Sequence, residues 1–154
     1  QVQGRASAGG NLCNGSPAGD SVPAMIAAGA VVTIQGPNGR RELPVEQVPA
    51  GPGRTNLKPG EILVSFTLPP CPPGSSDAYL RMIPRTEMDI AVVGVGVSLT
   101  MKGDTVKDAR VGLGAVAPTP AKPLVRSGKS SCVVFGCSAI NTVSGFSRTV
   151  SRTM

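Results

Sequence analysis

With 154 residues and 40% hydrophobic content the chain can bury one core or two small ones, and aromatic content of 3% means that core is built from Val, Ile, Leu, Ala and Met. Twenty glycines and fifteen prolines imply many turns and short elements, which points to a strand-rich α+β fold and away from a helical bundle. No run approaches the roughly eighteen apolar residues of a membrane span and no charged-then-apolar signal opens the sequence, so a soluble, cytoplasmic protein is expected.

The first stretch of interest runs from Ser7 to Asp20 and combines glycines, short hydrogen-bonding side chains and one carboxylate. A helix is expected directly after it. Asp20 or Ser21 suits the N-cap, Pro23 sits in the first turn where its missing N–H does no harm, and Gly29 stands at the C′ position. Val22, Met25 and Ile26 share one face of that helix. Residues 30–35 alternate as a strand, Pro37-Asn38-Gly39 signals a hairpin through an Asn-Gly type I′ turn, and residues 40–45 return as its partner. Residues 48–60 are irregular, whereas residues 61–68 alternate as a clean strand.

The breaker cluster over residues 69–76 predicts a linker between two subdomains. Residues 78–83 form a further strand candidate. Residues 88–101, the turn Lys102-Gly103-Asp104 and residues 105–117 predict a long hairpin, the sheet of a second subdomain, with helices expected after Pro118-Thr119-Pro120. From Lys122 onward neither a helical period nor a strand alternation is visible. Residues 1–121 carry a net charge of +1 and residues 122–154 carry +5, so almost all the basic excess sits in a one-signed tail. That tail is expected to be atypical, solvated and poorly ordered.

Conventional catalytic and metal-binding sets are not available. The chain has no histidine, which rules out a Ser-His-Asp triad, and Cys13, Cys71, Cys132 and Cys137 show no CxxC spacing. All four are expected to be free thiols, with no metal site. Glu87 and Asp89, two residues apart, and Asp20 read first as partners in structural salt bridges. A pI near 9.6 raises nucleic acid as a partner, but the charge is confined to the tail and aromatics are few, so no nucleic-acid function is expected.

The Ser7–Asp20 stretch keeps two readings. Glycines let a backbone press against a ligand and adopt positive φ, their N–H groups can converge on an anion, and a following helix directs its positive end there. Glycine-rich turns are also common, and by residue chemistry alone a plain structural turn is the favoured reading.

Residue order shifts that balance. Gly9-Gly10-Asn11-Leu12, then Ser16-Pro17-x-x-Asp20, then Pro23, resembles the second flavin-binding loop of the FAD subunit of molybdenum hydroxylases, the family of xanthine dehydrogenase and carbon monoxide dehydrogenase flavoprotein subunits. The block Pro84-Arg85-Thr86-Glu87-Met88-Asp89-Ile90-Ala91 and the intervening Gly51-Pro52-Gly53-Arg54-Thr55 and Gly60-Glu61-Ile62-Leu63 resemble later parts of that family in the same order. The resemblance runs from about Gln3 to about Pro123.

It implies the C-terminal part of a PCMH-type FAD-binding domain over residues 1–70. The start of a carbon monoxide dehydrogenase flavoprotein C-terminal-like sheet subdomain then follows over residues 78–121. An earlier flavin loop, usual in the family, is missing ahead of Gln1, so the sequence reads as a fragment.

FAD is the implied cofactor. Gly9, Gly10 and Asn11 would present donors to its diphosphate, and Asn14 and Ser16 would extend that network. Asp20 would accept from sugar or ribityl hydroxyls while capping its helix. Leu63 would pack on the flavin or adenine, and Arg81 would stand near the flavin ring. Ala8 replaces a branched residue usual before the glycine pair, which is expected to loosen packing beneath the loop. The implied partners are a molybdopterin-binding large subunit and an iron–sulfur small subunit, with electrons passing through FAD to NAD, oxygen or a quinone. The alternative is a non-catalytic module that docks to sister subunits through the residue 88–117 hairpin without flavin.

Overall fold

A computed structural model describes residues 4–85, 89–121 and 128–129. Two helices, α1 (Ala8–Cys13) and α2 (Ser21–Ala28), precede nine strands: β1 (Val31–Gly36), β2 (Gly39–Pro44), β3 (Pro49–Gly51), β4 (Arg54–Thr55), β5 (Ile62–Thr67), β6 (Ser75–Met82), β7 (Val93–Lys102), β8 (Thr105–Gly114) and β9 (Gly128–Lys129). They form three antiparallel sheets of order β2-β1-β5, β3-β4 and β6-β7-β8-β9. The α+β arrangement expected from composition is present. The atypical-tail expectation for residues 122–154 falls outside the described residues apart from β9, a short pairing with Thr105 and Val106. Cys132, Cys137 and Glu87 also lie outside them.

Residues 7–20 are more helical than their glycines suggest. Ser7 caps α1, its Oγ accepting the Gly10 N–H at 3.0 Å, so the glycine pair lies within a helical turn. Within this stretch only Gly15 takes a positive φ, +64°. A Cβ there would stand 2.8 Å from the Arg54 nitrogen, and the Gly53 N–H donates to the Gly15 carbonyl at 3.1 Å. Gly15 is therefore the glycine that seats the β3–β4 hairpin against the α1–α2 connection.

α2 ends as expected, Gly29 taking a left-handed φ of +70°. The β1–β2 turn differs from a type I′ turn. Gly36 pairs with Gly39, which makes Pro37 and Asn38 the central residues. The proline ring holds φ near −65° and Asn38 keeps a negative φ, so the positive angle falls on Gly39, at +106°.

The clean alternation of residues 61–68 is also interrupted. Thr33 pairs with Ser65 but Ile34 pairs with Leu63, which leaves Val64 as the extra residue of a bulge. The bulge turns Leu63 and Phe66 toward the core and leaves Ile62, Val64 and Leu68 exposed.

The core joins α2 to the first sheet through Leu12, Val22, Ile26, Ala30, Val32, Ile34, Val45 and Val48. The other side of α2 lies on the four-stranded sheet. Gly96 pairs with Gly112 and Gly94 with Gly114 across β7 and β8. A Cβ on Gly96 or Gly112 would collide with the Pro23 carbonyl oxygen, and one on Gly114 would lie 2.7 Å from the Pro23 ring. Strand glycines here admit the close approach of another backbone. A helix covered on both sides needs apolar residues all round, which Val-Pro-Ala-Met-Ile-Ala-Ala supplies.

Candidate functional site

The start of α2 is where the predicted polar residues meet. Its cap comes from α1: Asn11 Oδ1 accepts the Ser21 hydroxyl at 2.6 Å and the Ser21 N–H at 3.3 Å. Gly19 makes room for this, since a Cβ there would stand 3.2 Å from Asn11 Oδ1. Asp20 does not cap the helix as expected. Its backbone is already helical, with φ −59° and ψ −35°, and its side chain makes no capping bond.

The carboxylate instead turns toward β6. Asp20 Oδ2 accepts from the Arg81 guanidinium at 2.5 Å across a sequence gap of 61 residues. Arg81 is 22% exposed and Asp20 43%, so water screens the pair and its worth is in position more than in stability. The other oxygen, Oδ1, is shielded from solvent and has no hydrogen-bond partner. Two residues before Arg81, and therefore on the same face of β6, the Tyr79 hydroxyl is likewise shielded and without a partner. Burial pushes the Tyr79 phenol pKa upward; the Asp20 charge adds to the rise and Arg81 opposes it.

The remaining predicted residues are placed unevenly. Gly9 meets Leu63: a Cβ on Gly9 would touch the Leu63 methyl at 3.7 Å, and Leu63 packs on the core. The Gly10 and Asn11 N–H groups already serve Ser7, at 3.0 Å each. Of Asn11, the side-chain amide nitrogen is what is left for a ligand. Asn14 ends α1, its N–H donating to the Gly10 carbonyl at 2.9 Å. Ser16 Oγ accepts the Ala18 N–H at 3.2 Å and holds a local turn.

The structure thus brings Asn11, Asp20 and Arg81 together, and Gly9 with Leu63. Sequence reasoning missed Tyr79, although a tyrosine two residues from Arg81 on a strand is a readable signal. Asp89 forms the salt bridge expected of it, bound in a fork by Arg85 at 3.0 Å for each contact.

Asp20 and Arg81, both partly exposed, stand in a surface wall at the start of α2. Two shallow depressions, of about 150 and 220 Å³, are lined by neither Asp20 nor Arg81: one is at Arg41 and Glu61 beside the β1–β2 turn and one at Ala24, Ala27 and Tyr79. Among the described residues no group of three or more His, Cys, Asp or Glu could hold a metal ion. Cys13 and Cys71 are free, and burial pushes the Cys13 thiol pKa up, the opposite of an activated thiolate. No described helix is long and apolar enough to cross a membrane.

Comparison with known proteins gives this wall a context. Residues 1–71 match the family described as the FAD binding domain in molybdopterin dehydrogenase, and residues 78–124 match the CO dehydrogenase flavoprotein C-terminal domain. The chain is 32% identical over 123 residues to the xanthine dehydrogenase FAD-binding subunit of Escherichia coli O157:H7, covering 79% of this chain and 42% of that protein. It is 34% identical over 119 residues to the carbon monoxide dehydrogenase medium chain of Hydrogenophaga pseudoflava, covering 77% and 41%. Among solved structures, reconstituted CO dehydrogenase from Oligotropha carboxidovorans superimposes with a TM-score of 0.75 at 34% identity, covering 79% of this chain and 42% of that one.

The chain therefore spans about two fifths of the length of these relatives. Two domains matched in the family's own order, with the same backbone arrangement, show that the chain belongs to the FAD-binding, medium-subunit family of the molybdenum hydroxylases.

Proposed function

We propose that this chain contributes the flavin-contacting wall of an electron-transfer subunit in a cytoplasmic molybdenum-containing hydroxylase. In that reading electrons pass from iron–sulfur clusters through FAD to an acceptor. The implied neighbours are a molybdopterin-binding large subunit and an iron–sulfur small subunit. The observation that carries the reading is the Asp20–Arg81 pair at the start of α2, which leaves one carboxylate oxygen shielded and unpartnered.

The residues fit such a cofactor. Asp20 offers an acceptor suited to hydroxyl donors, and Arg81 fixes that acceptor from the far side. Asn11 holds α2 and its own amide beside them. Bound FAD would supply the redox chemistry itself. A cation held at Arg81 favours the electron-rich state of any group brought close to it, because it lowers the energy of added negative charge. Gly9 and Leu63 would give the wall its apolar part.

The test is a titration of the 154-residue chain with FAD, followed by flavin fluorescence. Asp20→Asn and Arg81→Met are each expected to weaken binding by about tenfold, the loss of one charge-assisted hydrogen bond. Equal affinity in all three proteins would overturn the proposal. A second reading, a docking module without flavin, draws on the exposed Leu80, Met82, Ile90 and Val92 around β6 and the start of β7. It expects co-purification with sister subunits in a colourless complex.

A further inference from the structure

β6 is an open edge of the four-stranded sheet, whose order is β6-β7-β8-β9. An edge strand offers unpaired N–H and C=O groups to any strand that fits them, and most edges are blunted against this. The edges of the first sheet are blunted. β2 carries Arg40, Arg41 and Glu42 and ends on Pro44, and β5 is broken by the bulge at Val64. β6 is eight residues long, contains neither proline nor glycine, and pairs with β7 without a register shift. α2 lies mainly over β7 and β8, and Ser76, Asp77 and Ala78 are exposed.

The phase of the ladder shows which groups the edge offers. The Gly74 carbonyl accepts the Met101 N–H at 2.9 Å, with Ser75 opposite Thr100. Ser76, Ala78 and Leu80 therefore exchange backbone bonds with β7, whereas Ser75, Asp77, Tyr79 and Arg81 direct theirs away from it. Side chains sort the same way. Ala78, Leu80 and Met82 are exposed on one face, and Asp77, Tyr79 and Arg81 lie on the other.

A second β6, antiparallel about a two-fold axis at Tyr79, matches both patterns. It sets Tyr79 opposite its own copy, Ala78 opposite Leu80 and Asp77 opposite Arg81. An axis centred on Asp77 or on Arg81 would set like charges face to face. Asp77 makes no hydrogen bond or ion pair among the described residues, and the five N–H donors of an arginine let Arg81 meet a carboxylate besides Asp20. We propose that two copies of this chain join by their β6 edges in an antiparallel pairing centred on Tyr79. The paired sheets become continuous, and the two Asp77–Arg81 contacts fix the register. This contact stands apart from the flavin reading.

One strand from each copy makes a small interface, so the dimer is weak and depends on concentration. Sedimentation equilibrium of the 154-residue chain, from low to high micromolar, should show the mass rising from 15.5 kDa toward twice that value. Hydrogen exchange should slow at the Asp77, Tyr79 and Arg81 amides over the same range, while Ala78 and Leu80 stay protected throughout. Asp77→Arg should weaken the dimer about tenfold, because it turns two attractive cross-strand pairs into repulsive ones. Asp77→Pro removes an edge N–H and leaves the β7 ladder intact, and it should weaken the dimer likewise. Arg81→Asp alone should do the same, and an equal mixture of Asp77→Arg and Arg81→Asp should recover wild-type association.

A chain that stays monomeric throughout would overturn the inference. A dimer that keeps its strength in Asp77→Arg and Asp77→Pro would be held by another surface and would also overturn it. So would a mixture no stronger than either charge variant alone, or a dimer in which Tyr79 exchange does not change. The wild-type exchange pattern decides the matter even where a variant fails to fold.

Discussion

Asn11 and Asp20 divide between them two tasks that a helix start often gives to one residue. Asn11 reaches across from α1 to accept both Ser21 donors, which frees the Asp20 carboxylate to face β6. Asn11→Ala should therefore destabilise the fold by about 1 kcal/mol, the usual cost of a lost cap, measured by urea unfolding. Asp20→Ala should cost less, because it removes no cap and only a screened ion pair. The reverse order of these two effects would mean that Asp20, not Asn11, holds the helix start. From sequence, Asp20 or Ser21 is the cap candidate; what could not be read is that Ser7 starts a separate helical turn and brings Asn11 within reach of Ser21.

At the scale of elements, α2 is the shared piece. One side of it completes the core of the first sheet and the other rests on strand glycines of the second. The site depends on that seating, because the Asp20–Arg81 pair forms only when the helix start lies over β6. Gly112→Ala would drive a methyl into the Pro23 carbonyl and the Ile26 Cβ, which stands 3.0 Å from that position. The expected cost is about 1–3 kcal/mol, with FAD affinity falling alongside stability. Thermal unfolding with parallel FAD titration measures both; a fully stable variant with normal affinity would show that α2 does not rest where described.

The helix, its glycine stop and most strands were legible because their signals are local: a C′ glycine, alternation, breaker clusters. The bulge at Val64 and the switch of the β1–β2 turn were not. The first depends on pairing with Thr33 and Ile34, and the second on Pro37 overriding the Asn-Gly preference.

At the scale of the molecule, a second ion pair ties the edges of the first sheet. Arg41 on β2 forks onto Glu61 just before β5, at 2.7 and 2.8 Å, and Glu61 also accepts the Lys58 N–H at 2.7 Å. Gly36 on the strand between them gives Glu61 its room. The Arg41 hydrogen bond, then the Lys58 backbone N–H, hold the Glu61 carboxyl at about 2, below its ordinary 4.5. A depressed folded-state pKa contributes stability that is whole above about 4.5 and is lost as pH falls toward 2. Unfolding curves between those values should show stability falling with acid, and Glu61→Gln should flatten that slope; an unchanged slope would remove Glu61 as its source.

The family could be recognised from three ordered blocks, and the Asp20–Arg81 meeting follows from a tertiary contact that no local pattern encodes. Which side chains a ligand would touch is a property of that contact. A crystal structure of the chain in its assembled form with FAD bound tests this most directly. The account predicts cofactor hydroxyls on the Asp20 carboxylate, with Arg81 and the Asn11 amide alongside, and FAD seated away from the start of α2 would contradict it.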